Sequence, residues 1–155
     1  MRRGAASVET MSGYGIIPAG ASGAKGEMMA QANRAWLGWG LSALTAAVLL
    51  ADAGVALLAP GLLAGEMQQT GFPSAQIATV GVITLVSAIV YAIPRTAVLG
   101  AILISGFVGG AICVHLRLGE IGSPPQLVCL AIAAAAWGGI WLRDGRLRAL
   151  MPVRA

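Results

Sequence analysis

A chain of 155 residues with 57% hydrophobic and only 10% charged residues lies far from a soluble domain, where about 25% are charged. The net charge of +4 does not indicate nucleic acid. Its basic residues sit beside long apolar runs, not in a patch interleaved with aromatics. A soluble helical domain is excluded as well, because each helix would need a polar stripe, and Ile77–Ile93 and Thr96–Leu116 have none.

The first 32 residues are rich in Gly, Ala and Ser and are expected to be disordered. They do not read as a signal peptide, because the best apolar run, Ile16–Ala21, is short and broken by Pro18. Met28 or Met29 is an alternative start. Residues 33–155 are expected to form one four-helix transmembrane domain. No charged residue lies between Arg34 and Asp52, Glu66 and Arg95, Arg95 and Arg117, or Glu120 and Arg143. A spanning helix needs about 17–25 mostly apolar residues.

The first span is predicted over about 35–59, ending at Pro60 and Gly61. A polar loop, Gly65–Ser74, leads to a second span over 75–93. Pro94 forbids a continued helix at Ile93, so Pro94 and Arg95 make a tight turn. The third span covers 96–116 and the fourth 126–142, separated by a loop rich in Gly and Pro. The tail from Arg143 is basic.

Nine basic residues fall at one end of this frame: Arg2, Arg3, Lys25, Arg34, Arg95, Arg143, Arg146, Arg148 and Arg154. The other end has Arg117 alone. The positive-inside rule places both termini and the Arg95 turn in the cytoplasm. Trp36, Trp39, Tyr91 and Trp141 fall at the inner ends of their spans, as an aromatic belt would, with Trp137 deeper. The fold class is therefore an all-α integral membrane four-helix bundle, placed in a bacterial inner membrane.

Polar groups able to carry chemistry are few. Asp52 lies within the first span, and an intramembrane carboxylate is a functional candidate by default. His115 and Arg117 close the third span, about 200° apart around the helix. His115 is a candidate for a proton or quinone-oxygen contact, or for a bond to a carbonyl. Cys113 and Cys129 have no metal spacing; they read as buried thiols, with a disulfide as the alternative. No metal, nucleophile–base or phosphate-loop motif is seen. A small-residue ridge, Ala97, Ala101, Ser105, Gly109 and Cys113, with the Gly106 and Gly110 pair beside it, is expected to pack helices within the bundle or in a dimer.

The stretch from Tyr91 to Gly119, with Pro94-Arg95-Thr96, Gly109-Gly110-Ala111 and His115-Leu116-Arg117, resembles the DoxX-like family of small bacterial membrane proteins. So do Gly71-Phe72-Pro73 and the ending from Trp141 to Pro152, and the resemblance covers about Trp36 to Arg154. It implies a four-helix membrane bundle. The family's namesake is linked, as a membrane subunit, with a thiosulfate:quinone oxidoreductase. The resemblance therefore implies a non-catalytic subunit or accessory protein of a quinone-linked redox system, with a redox enzyme subunit or a second copy as partner in the lipid bilayer. A small transporter or channel and a structural assembly protein are the alternatives. Relatives tend to carry a lysine late in the first span and a glutamate in the second. The matching positions here are Ala56 and Thr84, so both partners are gone together and neither charge is orphaned.

Overall fold

In hydrocarbon every backbone N–H and C=O must bond internally, and the charge-free runs accordingly become four long helices in the computed structural model, which describes residues 20–150. Helix α1 spans Gly20–Leu58. A short helix α2, Pro60–Thr70, and one 3-10 turn, Ser74–Gln76, lead into α3, Ile77–Ala92. Helices α4, Ala97–Arg117, and α5, Pro124–Arg143, complete the four, and a six-residue α6, Gly145–Leu150, follows. Four segments, Gly26–Leu58, Ser74–Ala92, Ala97–Arg117 and Pro124–Arg143, are long and apolar enough to cross a membrane. The protein is an all-α integral membrane bundle.

Short connections make sequential spans antiparallel. Helix α1 packs on α3 and α5, and α4 packs on the same two, so α1 and α4 face across a diagonal. One end of the bundle carries α2 and the α4–α5 loop. The other carries the α3–α4 turn, α6 and the start of α1. The core is filled by Leu49, Ala88, Tyr91, Ala101, Ile104, Ala136 and Ile140, all nearly without exposure. Buried hydroxyls are satisfied inside their own helices: Thr45, Thr84 and Ser87 donate to the carbonyls of Leu41, Val80 and Ile83. That back-bonding is how a membrane helix hides a hydroxyl without a partner helix.

Three boundaries differ from expectation. Residues 20–32, expected to be disordered, continue α1 as helix; Ala, Met, Glu, Gln and Lys in this stretch are good helix formers. Residues 1–19 lie outside the described residues. The polar stretch after Pro60 is largely helix α2, not loop. Pro60 does end α1, but it also starts α2, since a missing N–H costs nothing in a first helical turn. Gly71 closes α2 in the left-handed conformation at φ 77°, with the N–H of Gly71 bonded to Gln68 and that of Phe72 to Met67. Part of the basic tail forms α6, entered through Asp144, whose carboxylate accepts the Arg146 N–H at 2.9 Å.

Of the small-residue ridge on α4, Ala97 and Ala101 pack inside the bundle, whereas its glycines make no close approach there. A Cβ added at Gly106, Gly109 or Gly110 would meet nothing within 4 Å, whereas Ala101 is fully buried. Ser105 donates to the Ala101 carbonyl and accepts from the Trp137 indole at 2.9 Å. Within the bundle the close approaches are made by Gly38, Gly81, Gly100 and Gly139. A Cβ at Gly100 would overlap the backbone of Tyr91, and one at Gly139 would lie 2.5 Å from Ser42 Oγ. A Cβ at Gly38 would lie 2.8 Å from the Gly139 carbonyl oxygen and from the Arg143 backbone N.

Tyr91 also departs from expectation. It is fully buried and is no part of a lipid-facing belt. Its hydroxyl donates to the Ala136 carbonyl at 2.9 Å and lies 3.1 Å from Ser42 Oγ, tying α3 to α5 and α1. Trp36, Trp39 and Trp141 do face outward at the same end.

Candidate functional site

Asp52, Glu66, His115, Arg117 and Glu120 gather at the α2 end, and His115, Arg117 and Glu120 are positioned by the terminus of α4. Helix α4 ends in a turn closed by Gly119 at φ 77°, with the Glu120 N–H bonded to the His115 carbonyl. This left-handed stop folds Glu120 back onto the last turn of α4. Glu120 Oε2 then lies 2.8 Å from His115 Nδ1, the ion pair found among the described residues. A carboxylate only accepts, so the proton resides on Nδ1, and a neutral ring keeps Nε2 as an acceptor.

Arg117 points away from His115, as the helical spacing requires. It donates to the Thr70 carbonyl at 2.8 Å. Thr70 ends α2, where carbonyls lack helical partners and the helix dipole favours a cation. Arg117 thus ties the end of α2 to the end of α4. On the far side of the α4–α5 loop, the buried Gln126 side chain accepts the Gly122 N–H at 2.7 Å and fixes the start of α5.

Beside these ties lies an open cavity of about 340 Å³, lined from α1, α2, α3, α4, the α4–α5 loop and the start of α5. Asp52, Glu66, His115 and Glu120 supply its ionisable groups, and Leu63, Phe107 and Leu118 much of its apolar wall. Asp52 lies at the surface of the bundle and is not covered by other parts of the chain. It shares the cavity with Glu66 and Glu120, so three carboxylates line one space, of which Glu120 is paired with His115.

A second, apolar groove of about 400 Å³ opens beside the cavity. Gly106, Gly110 and Ala111 form a shallow floor on α4, with Phe72 and Ile83 as walls. Met67, Thr70, Val80, Phe107 and His115 line both spaces. The exposed glycines therefore shape a recess on the membrane-facing side of α4, and His115 stands where recess and polar cavity meet. Cavities of this size hold small organic ligands when a few polar groups converge on an apolar wall.

The structure brings Asp52 and His115 to one cavity and assigns Arg117 to its frame. Sequence reasoning missed Glu66, Glu120 and Phe107. Glu66 sits on α2, which had been read as loop. Glu120 had a legible signal: a glycine just after a helix end brings residues five apart together. Both cysteines are free. Cys129 is partly buried against the core, but Cys113 is exposed, which corrects its reading as a buried thiol. Ala56 and Thr84 are both buried at the α1–α3 contact, and Ala56 touches the space beside Gly81. Among the described residues no group of three or more His, Cys, Asp or Glu could hold a metal ion.

The family model of the DoxX-like family matches residues 40–138, a range that includes every wall of the cavity and groove. No curated protein and no solved structure matches the chain.

Proposed function

The chain belongs to the DoxX-like family, and on that premise we propose that it is a bacterial inner-membrane accessory subunit that holds a quinone-type redox lipid for a partner oxidoreductase. The observation that carries this reading is the junction at His115 between the apolar groove and the polar cavity. An amphipathic ring with an isoprenoid tail needs both surfaces. Phe107 and the Gly106–Gly110 floor offer the ring a flat apolar bed. His115 offers Nε2 to a hydroxyl of the reduced lipid, while Glu120 steadies Nδ1. Such a lipid supplies two-electron, two-proton chemistry when bound; this chain contributes position and a proton contact. The positive-inside rule puts the α2 end on the outer face of the membrane.

Purification from native membranes in mild detergent, with mass spectrometry of the eluate for proteins and quinones, tests the proposal. A stoichiometric oxidoreductase with quinone is the expected result. A homomer with bulk lipid only would overturn it. Two variants localise the ligand. Loss of one charged or strong hydrogen bond costs about 1.5–3 kcal/mol, so His115→Ala should weaken quinone binding roughly tenfold or more. Gly106→Leu should fill the groove and block binding while the fold survives, since nothing lies within 4 Å of an added Cβ. A protein helix seated in the groove in place of quinone would favour the assembly reading, and the same eluate would reveal it.

A further inference from the structure

The opposite end of the bundle carries a second arrangement, unrelated to the cavity. Arg34 on α1 and Arg148 on α6 are far apart in the chain yet line one cleft of about 440 Å³, together with Glu27, Ala30 and Gln31. Neither arginine is paired with Glu27: among the described residues the ion pair is that of His115 and Glu120. Among the described residues the cleft therefore keeps an excess of positive charge. On another face of α1, Ala32, Ala35, Trp36 and Trp39 border an apolar hollow. Trp36 is 78% exposed and Leu37 66%. Trp39 is held in place by the Arg143 guanidinium, 4.4 Å from its ring centroid. The charged cleft thus lies at the end of a membrane-spanning helix, where head groups meet acyl chains, with the exposed Leu37 and Leu44 further down the neighbouring face of α1.

We propose that this cleft seats the phosphate head group of an anionic phospholipid, with its acyl chains lying along the exposed Leu37 and Leu44 side of α1. Guanidinium is the planar, weakly hydrated cation best suited to a phosphate. Aromatic rings at head-group depth are the usual neighbours of such a site. The leaflet in question is the one that adjoins the chain termini, where the basic residues collect. Anionic lipids attract basic residues at the membrane surface, roughly fivefold in affinity for each residue.

Native mass spectrometry of the full-length protein, titrated with phosphatidylglycerol or phosphatidylcholine in detergent, tests the assignment. Wild type should retain phosphatidylglycerol in preference to phosphatidylcholine. The double variant Arg34→Gln/Arg148→Gln should lose about twentyfold in phosphatidylglycerol affinity, by the same per-residue effect. Arg95→Gln removes a charge at the same end, outside the cleft, and should lose no more than the roughly fivefold effect of one surface charge. Arg34→Lys/Arg148→Lys should recover much of the loss, which separates charge from misfolding. Equal retention of both lipids would sink the proposal. So would a loss with Arg95→Gln as large as with the double variant, because that would mean diffuse charge and no site. Displacement of the lipid by millimolar inorganic phosphate alone would reassign the cleft to a free anion.

Discussion

Gly100→Ala is expected to break the α3–α4 contact and to remove most of the folded protein in detergent. The added methyl would overlap the backbone N and Cα of Tyr91. Backbone atoms cannot rotate aside as a side chain can, so the two helices must separate. Overpacking of a well-filled core costs about 1–3 kcal/mol and sometimes more, and a main-chain clash belongs at the top of that range. Separation would also disturb Ala97, Ala101 and Ile104, buried along the same helix. Gly106→Ala and Gly110→Ala provide the contrast. Each adds a methyl in open space and should be neutral or slightly stabilising, since alanine is favoured over glycine in a helix by about 1 kcal/mol. Thermal unfolding followed by circular dichroism, with size-exclusion profiles before heating, distinguishes the three variants. Equal stability of Gly100→Ala and Gly106→Ala would show that α3 and α4 lie further apart than described.

Those glycines show where the sequence was readable. The spans were legible because absence of charge over 17 or more residues has one strong cause. The ends at Pro94 and Gly119 were legible too, because those residues act through local backbone geometry. Which face of a span turns inward was not. In a soluble helix the polar stripe marks the outside; in lipid both faces are apolar, so the stripe is missing. A ridge of small residues on α4 therefore looked the same as one at a helix contact, although Gly106 and Gly110 face a groove and Gly100 makes the contact. Tyr91 was misplaced for the same reason: its depth suits a belt, and only three-dimensional packing turns it inward. The candidate site was half legible. Asp52, His115 and Arg117 stand out as rare charges, whereas Glu66 and Glu120 reach the cavity only because α2 folds as helix and Gly119 reverses the chain. Phe107 carries no sequence signal that separates it from any lipid-facing aromatic.

Replacement of Tyr91 tests the interior of the bundle at its arginine-rich end, and the two substitutions should differ sharply. Tyr91→Ala is expected to cost about 3–5 kcal/mol, the usual loss on truncating a buried aromatic. It would open a cavity between α1, α3 and α5 and take away one of the two rings beside Arg143, whose guanidinium lies 5.9 Å from the Tyr91 centroid. Tyr91→Phe keeps the ring and removes only the hydroxyl. The Ala136 carbonyl belongs to the continuous helix α5 and keeps its helical partner, so no acceptor is orphaned. A loss of about 1 kcal/mol, the net worth of one hydrogen bond, is therefore expected. Ser42→Ala should couple to it: once Ser42 Oγ is gone, Tyr91→Phe should cost less than it does in wild type, because the two hydroxyls lie 3.1 Å apart. Chemical unfolding in mixed micelles, applied to the four members of that cycle and to Tyr91→Ala, gives each term. A tyrosine in a lipid-facing belt would behave otherwise. Both substitutions would then be nearly neutral and uncoupled from Ser42, and the inward placement of this face of α3 would have to be given up.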